Sequence, residues 1–122
     1  MRIVFEGAIY HIIQQGNNRQ ALFLEDKDRL YFLSLLKEAK RRFSLRIFAF
    51  CLMQNHIHIL LKILKKNLSE AMHWLFMSYA TRFNEKYSRI GHLFSSRFKS
   101  NLCLDDAYFL QVLRYIGLLR YN

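Results

Sequence analysis

The 122-residue chain has the length of one domain, enough to bury a single hydrophobic core. Hydrophobic residues make up 52% of it, but Lys or Arg interrupts every apolar run before the roughly 18 residues of a membrane span, so we expect a soluble protein. Nineteen Lys and Arg against nine Asp and Glu give a formal charge of +10, which favours nucleic acid as the partner. These cations are spread over several elements, which argues against binding to a membrane surface.

The first part of the chain predicts a strand followed by a helix. The starting sequence, MRIVFEGAIYH, has no long apolar region and no small-residue cleavage site, so we expect a cytoplasmic protein rather than an exported one. Alternating β-rich residues predict a strand over Phe5–Gln14, closed by the turn-forming Gly-Asn-Asn at 16–18. Apolar residues at helical spacing then predict a helix over Asp26–Phe43, with acidic residues favourably placed near its start.

A hairpin follows this helix. Its strands are predicted over Leu45–Met53 and His56–Ile63, with Gln54 and Asn55 in the turn.

The rest of the chain predicts two more helices around an extended segment. Asn67 is expected to cap the second helix with Glu70 as its reciprocal partner, and this helix ends near Tyr87. A short strand or extended segment is expected over Gly91–Ser100, and a last helix over Asp105–Leu119.

The predicted order is βαββαβ plus a terminal helix, which indicates the α+β, ferredoxin-like plan of an antiparallel sheet with helices on one face. In this plan the isoleucines at 57 and 59 and Leu61 face the helices, whereas His56, His58 and Leu60 lie on the open face. No linker, repeat or low-complexity tract divides the chain, so we expect a single domain over residues 1–122.

Two histidines, and not the two cysteines, are the candidate metal ligands. Cys51 and Cys103 lie far apart in apolar stretches without CxxC spacing, which favours buried thiols over a disulfide or zinc site. His56 and His58 leave the same face of one strand, and neutral imidazoles suit a divalent ion. The alternative for such a triplet is an ordinary, half-exposed sheet face.

Four ordered blocks carry a family resemblance over nearly the whole chain. They are YHIIQQGNNRQALF (10–23), MQNHIHILL (53–61), NLSEAMHWLFMSYATRFNEKYSRIGHLFSSRFKS (67–100) and DDAYFLQVLRYI (105–116). In these blocks the chain resembles the single-tyrosine HUH transposases, named for His-hydrophobic-His, and most closely the REP-associated tyrosine transposases with their IS200-like transposase domain.

The resemblance implies an enzyme that cuts and rejoins single-stranded or hairpin-folded DNA in transposition. It implies that His56 and His58 hold a divalent metal, Mg²⁺ or Mn²⁺, and that Tyr115 attacks the DNA to form a 5′-phosphotyrosine intermediate. Without the resemblance, Tyr115 is interpreted as a helix residue at the edge of the core. Tyr108, seven residues earlier on the same helix face, is the rival nucleophile, with Gln111 one turn along as an oxygen ligand.

Several polar and basic residues outside this centre are candidates for DNA contact. They are Asn18, Arg19, Arg82, His92, Arg97 and Lys99. Each has a plain alternative, because single surface cations are usually only solvated. Two further histidines are less informative: His11 belongs either to the core or to the open face, and His73 is expected to be structural or exposed.

The sequence departs from the family pattern at three points. Gln54 stands where the family has proline, and Leu119 stands where a Gln or Asn provides the third metal ligand. The segment after Tyr115 is also short, so we expect a domain that is truncated at its C-terminus. Two hypotheses follow: an active transposase, working as monomer or homodimer, or a DNA-binding remnant with weak or no catalysis. An RNA-binding sheet of RRM type is disfavoured, because the strands lack the Gly-flanked aromatic pattern.

Overall fold

The computed structural model describes residues 4–119, and the predicted domain limits of 1–122 extend beyond this part at both ends. Its strands and α-helices follow one another in the predicted order. They are β1 (Ile9–Gln15), α1 (Asp26–Phe43), β2 (Leu45–Leu52), β3 (His56–Ile63), α2 (Leu68–Lys86), β4 (Lys99–Cys103) and α3 (Asp106–Leu119). A 3₁₀ turn, Asn17–Arg19, lies between β1 and α1.

The four strands form one antiparallel sheet in the order β2-β3-β1-β4. This order, with both crossover helices on one face, confirms the α+β, ferredoxin-like prediction. Ile57, Ile59 and Leu61 are fully buried beneath α1 and α2, as predicted from their alternation along β3. The helix side of the central strands β1 and β3 therefore forms the main hydrophobic core.

The opposite face of the sheet is not open along its whole length, contrary to the prediction. Helix α3 lies on it, and Leu60 is fully buried against Val112 and Ile116. Cys51 and Cys103 form no disulfide, as predicted, and both belong to this second apolar cluster. Cys51 is buried as predicted, whereas Cys103 is only half-buried. His58, predicted on the open face, is also buried, and His56 is half-buried, so the histidine end of this face is only partly exposed.

Two predicted strand boundaries were wrong. β1 begins at Ile9 instead of Phe5, because Gly7 adopts a positive φ of 84° and the Ala8 N–H turns back to the Phe5 carbonyl. β4 covers Lys99–Cys103 instead of Gly91–Ser100. The segment before it is a loop whose aromatic residues pack on α2, with the ring centroid of Phe94 5.3 Å from that of Phe76.

The predicted cap of the second helix was also wrong in its chemistry. Asn67 is the residue before α2, but its side chain makes no capping hydrogen bond. Its Nδ2 instead donates to the carbonyl of Phe43 at 2.9 Å, because that carbonyl at the end of α1 lacks a helical partner. The reciprocal capping box occurs at the start of α1, between Glu25 and Asp28.

The buried carboxylate of Asp28 links the start of α1 to the end of α2 by hydrogen bonds. Asp28 is 4% exposed and accepts hydrogen bonds from Lys86 Nζ and the Tyr87 hydroxyl, each at 2.7 Å. Burial alone would raise the pKa of Asp28, but hydrogen bonds from Lys86, Tyr87 and two backbone N–H groups outweigh it and lower the pKa. Within residues 4–119, no helix is long and apolar enough to cross a membrane.

Candidate active site

His56 is the first residue of β3 and follows directly from the β2–β3 turn. Its Nδ1 lies 2.7 Å from Asn55 Oδ1, and its Nε2 lies 3.1 Å from Gln15 Nε2 on β1. Because an amide oxygen only accepts and an amide nitrogen only donates, this pattern assigns the ring proton to Nδ1 and a lone pair to Nε2. In this tautomer, the Nε2 atom of His56 carries the lone pair with which an imidazole can bind a cation.

His58 lies two residues further along β3 and is paired with a third histidine. His11 on β1 places its Nε2 3.0 Å from His58 Nδ1, and the two rings stack with centroids 5.3 Å apart. Both side chains are buried. Burial, followed by the electrostatic influence of His11 and His56, lowers the pKa of His58 to about 4, and burial also lowers the pKa of His11. His58 is therefore neutral at pH 7, the state in which an imidazole binds a metal.

Tyr115 approaches these histidines from α3. Its ring centroid lies 5.9 Å from that of His58 and 6.4 Å from that of His11, in edge-on arrangements. The side chain is 48% exposed, whereas the following residue, Ile116, is fully buried against the sheet. The packing of α3 thus holds a solvent-accessible tyrosine at the edge of the histidine cluster.

The rival tyrosine is placed differently. Tyr108 is half-buried against the apolar cluster beneath α3, and Asp105 caps its backbone N–H at 2.8 Å. No ring contact within residues 4–119 joins Tyr108 to a histidine, which favours Tyr115 as the nucleophile.

Within residues 4–119, no third candidate metal ligand accompanies His56 and His58 at the position that the family resemblance implies. Leu119 packs into the cluster beneath α3. Among the described residues, no group of three or more His, Cys, Asp or Glu side chains is arranged to hold a metal ion. The donors present are the two imidazoles of His56 and His58, with the Gln15 amide beside them. Neutral nitrogens with open positions for phosphate oxygens fit a divalent first-row cation such as Mn²⁺, while Mg²⁺ prefers more oxygen ligands.

The first loop and the loop before β4 lie side by side. The Asn17 N–H donates to the Leu93 carbonyl at 2.8 Å, and Gln20 Nε2 donates to the His92 carbonyl at 3.1 Å. Asn18 and Arg19 both have positive φ, 53° and 59°, in the 3₁₀ turn between these contacts. The structure therefore brings Asn18, Arg19 and His92, all predicted to contact DNA, to one edge of the molecule.

The other predicted DNA contacts divide between the two faces of the sheet. Lys99 pairs with Ile13, which pairs in turn with His58, so Lys99 is on the histidine face. Arg97 is exposed in the loop that precedes β4. Arg82 is exposed on α2, with its guanidinium 5.5 Å from the centre of the Tyr31 ring, on the helix side of the sheet. His73 is also exposed on α2.

Two neighbours of the His56–His58 pair were not predicted from the sequence. The period-two alternation of β1 puts His11 and Gln15 on one face, but it does not state which strand lies beside them. Only the register of β1 against β3, which pairs Gln15 with His56 and His11 with Leu60, brings both to the site. The register between strands that are distant in sequence depends on the whole sheet, so a local sequence pattern does not predict it.

Comparisons with known proteins agree with this architecture. The family model described as "Transposase IS200 like" matches residues 4–117. Among solved structures, a REP-associated tyrosine transposase bound to a REP hairpin is similar with a TM-score of 0.82 and 14% identity, covering 95% of this chain and 68% of that chain. A Deinococcus radiodurans R1 protein with a provisional assignment as a transposase has a TM-score of 0.66 and 16% identity, with 96% and 94% covered. No curated protein matches the sequence.

Proposed function

Because this chain belongs to the IS200-like transposase family, we propose that it cleaves and rejoins single-stranded DNA in transposition through a covalent 5′-phosphotyrosine. The observation that carries this proposal is the position of Tyr115, whose ring lies 5.9 Å from that of His58 on the face that also holds His56. An exposed tyrosine beside two histidines on one face of a sheet is the arrangement that metal-assisted phosphoryl transfer to a phenol needs.

In the proposed site, His56 and His58 would hold a divalent cation through their Nε2 atoms. When bound, this cation would supply Lewis acidity to the scissile phosphate and offset its developing negative charge. Asn55 Oδ1 fixes the tautomer of His56 by accepting from its Nδ1 at 2.7 Å. His11 Nε2 lies 3.0 Å from His58 Nδ1 and would accept a hydrogen bond from it when Nε2 of His58 binds the cation. Each ligand is thus oriented by its own neighbour.

Tyr115 is proposed as the nucleophile. Its hydroxyl oxygen forms a bond to phosphorus while the bond from phosphorus to the 3′ oxygen breaks. The phenol proton is lost and the departing oxygen takes up a proton, which leaves a 3′-hydroxyl and a 5′-phosphotyrosyl link. Because one phosphodiester replaces another, the bond energy is kept and rejoining by the reverse step needs no ATP.

The proposed substrate is single-stranded or hairpin DNA. A formal charge of +10 supports an anionic partner, and the fold resembles that of a transposase solved with a REP hairpin. We assign DNA contacts to Lys99 on the histidine face, to the edge formed by Asn18, Arg19 and His92, and to the neighbouring Arg97. Arg82 is assigned to a separate contact on the helix side. The histidines and Tyr115 lie together in one chain, so the proposed reaction proceeds in a monomer as well as in a homodimer.

One observation favours a second candidate function. Leu119 replaces the third ligand implied by the family resemblance and packs into the apolar cluster beneath α3, so it contributes nothing to a metal. A site with only two protein ligands would bind a cation weakly, and the chain would then act as a DNA-binding remnant with little or no catalysis.

The two functions are separated by incubating the protein with 5′- and 3′-labelled hairpin oligonucleotides and Mn²⁺ or Mg²⁺, then running denaturing gels. The transposase function predicts a protein–DNA adduct that requires the metal and is lost in Tyr115→Phe and His56→Ala. Tyr108→Phe is the matched control and keeps the adduct. Hairpin binding by gel shift without any adduct, over a broad set of hairpins, would support the remnant.

A further inference from the structure

The site described above has two protein ligands and no acidic third. We propose that the side-chain oxygen of Gln15, on β1, is the third protein ligand of the cation. This inference rests on the proposed function, because it concerns the same metal site. The Gln15 side chain would supply the oxygen ligand that Leu119 does not provide.

The pairing of β1 with β3 places the Gln15 side chain beside His56. Gln15 pairs directly with His56 across β1 and β3, so both side chains leave the same face of the sheet. The carboxamide nitrogen of Gln15 lies 3.1 Å from His56 Nε2, the atom assigned above as the metal ligand. Adjacent donors of an octahedral cation with bonds of about 2.1 Å are about 3.0 Å apart, so the Gln15 amide already stands at the spacing of a neighbouring ligand.

Only the orientation of the amide has to change. Without a cation, the His56 lone pair accepts an N–H from Gln15, which is why the amide nitrogen faces it. Half a turn about the last side-chain bond exchanges nitrogen for oxygen at nearly the same position, and the Gln15 side chain is exposed at the end of β1. An amide oxygen is a hard donor that suits Mg²⁺ and Mn²⁺. A bound cation would therefore favour the orientation opposite to the one seen here.

The rival amide donor is on the helix. Gln111 lies one turn before Tyr115 on α3 and is exposed, but no hydrogen bond or ring contact joins it to a histidine within residues 4–119. Gln15 and Gln111 are chemically identical and differ only in placement, so Gln111 provides a matched control.

The test is a Mn²⁺ titration of the metal-free protein in which the electron paramagnetic resonance signal of free Mn²⁺ measures binding. The same titration is made with the variants Gln15→Leu, Gln15→Glu and Gln111→Leu. Loss of an oriented partner outside the ligand set alone weakens metal binding 10–100-fold in typical sites, so loss of a ligand should weaken it by at least about tenfold. Gln15→Leu is expected to show that loss and Gln111→Leu none. Gln15→Glu is expected to bind at least as tightly as the original, since a carboxylate ligates but has no N–H for His56.

Three results would overturn the assignment of Gln15 while leaving the metal site of the proposed function intact. These are unchanged affinity in Gln15→Leu, a loss in Gln111→Leu instead, or an equal loss in Gln15→Leu and Gln15→Glu, which would make Gln15 only a hydrogen-bond donor to His56. If the unmodified protein itself binds no Mn²⁺, the metal site and the role of Gln15 both fall. Circular dichroism of each variant verifies that the sheet is intact.

Discussion

The ring of Tyr115 stands edge-on to the ring of His58, with centroids 5.9 Å apart and an angle of 78° between their planes. One residue belongs to α3 and the other to β3, so their proximity depends on how α3 packs against the sheet. Ile116, next to Tyr115, is fully buried in that packing against Leu60 and Val112. The position of the proposed nucleophile is therefore set by an apolar contact rather than by a loop.

Truncation of this contact is expected to affect both stability and chemistry. Ile116→Ala should lower the free energy of unfolding by about 2–5 kcal/mol, because it leaves a cavity under α3. It should also slow adduct formation more than it weakens hairpin binding, since α3 no longer holds Tyr115 against the histidines. Chemical denaturation and adduct assays measure the two effects.

Leu118→Ala on the same helix is the control for this prediction. Its side chain is 62% exposed, and the change should stay within about 0.5 kcal/mol. Equal losses of adduct formation in both variants would contradict this role of the buried contact, because Leu118 is exposed and alanine favours the helix at both positions.

His11, which stacks on His58, is expected to increase the affinity of the site for the metal. His11→Ala removes the acceptor for the Nδ1 proton of His58, so Mn²⁺ affinity should fall about 10–100-fold, as for other partners of metal-binding histidines. His11→Gln keeps an acceptor of similar reach and should recover part of the affinity. His73→Ala, on the exposed side of α2, should leave it unchanged. Calorimetric titration measures the Mn²⁺ affinity of each variant. An affinity of His11→Ala equal to that of the original protein would contradict this role of His11.

Stability is expected to fall in acid because of Asp28. Its pKa in the folded protein is lowered below the ordinary value of 3.8, so its stabilising contribution is fully present above that value and is lost as the pH falls through the folded pKa. Asp28→Asn should cost about 1–3 kcal/mol at pH 7 and should flatten the decline of the unfolding free energy below about pH 4. Urea denaturation between pH 2 and about pH 7 would measure both, and a variant with an unchanged acid slope would refute the assignment.

Glycine substitutions are expected to have opposite effects at two positions. A Cβ on Gly16 would lie 2.2 Å from the Gln20 carbonyl oxygen, so Gly16→Ala must distort the turn that carries Asn18 and Arg19. We expect a loss of about 1–3 kcal/mol and weaker hairpin binding. Gly117, in α3, has open space around its Cβ position, and Gly117→Ala should stabilise the helix by up to about 1 kcal/mol. Thermal melts and gel shifts of both variants check this contrast.

The sequence predicted what depends on local pattern. The limits of α1 and β3 and the opposite orientation of Ile57 and His58 follow from helical and strand periodicity, and the structure confirms them. It did not predict that Leu60 is covered by α3, since periodicity does not say which face a terminal helix selects. The capping chemistry of Asn67 failed for a related reason, because its side chain binds the distant Phe43 carbonyl. His11 and Gln15 were missed as neighbours of the site because strand register is a property of the whole sheet.

Peptide mapping of the protein–DNA adduct identifies the tyrosine that carries the covalent link, which we propose to be Tyr115. Trypsin cuts after Lys99, Arg114 and Arg120, so Tyr108 falls in the peptide Ser100–Arg114 and Tyr115 in the separate peptide Tyr115–Arg120. After reaction with hairpin DNA and Mn²⁺, nuclease trimming and mass spectrometry, we predict a nucleotide mass on the second peptide alone. A nucleotide on the Tyr108 peptide, or on neither peptide while the DNA is cleaved, would show that Tyr115 is not the nucleophile.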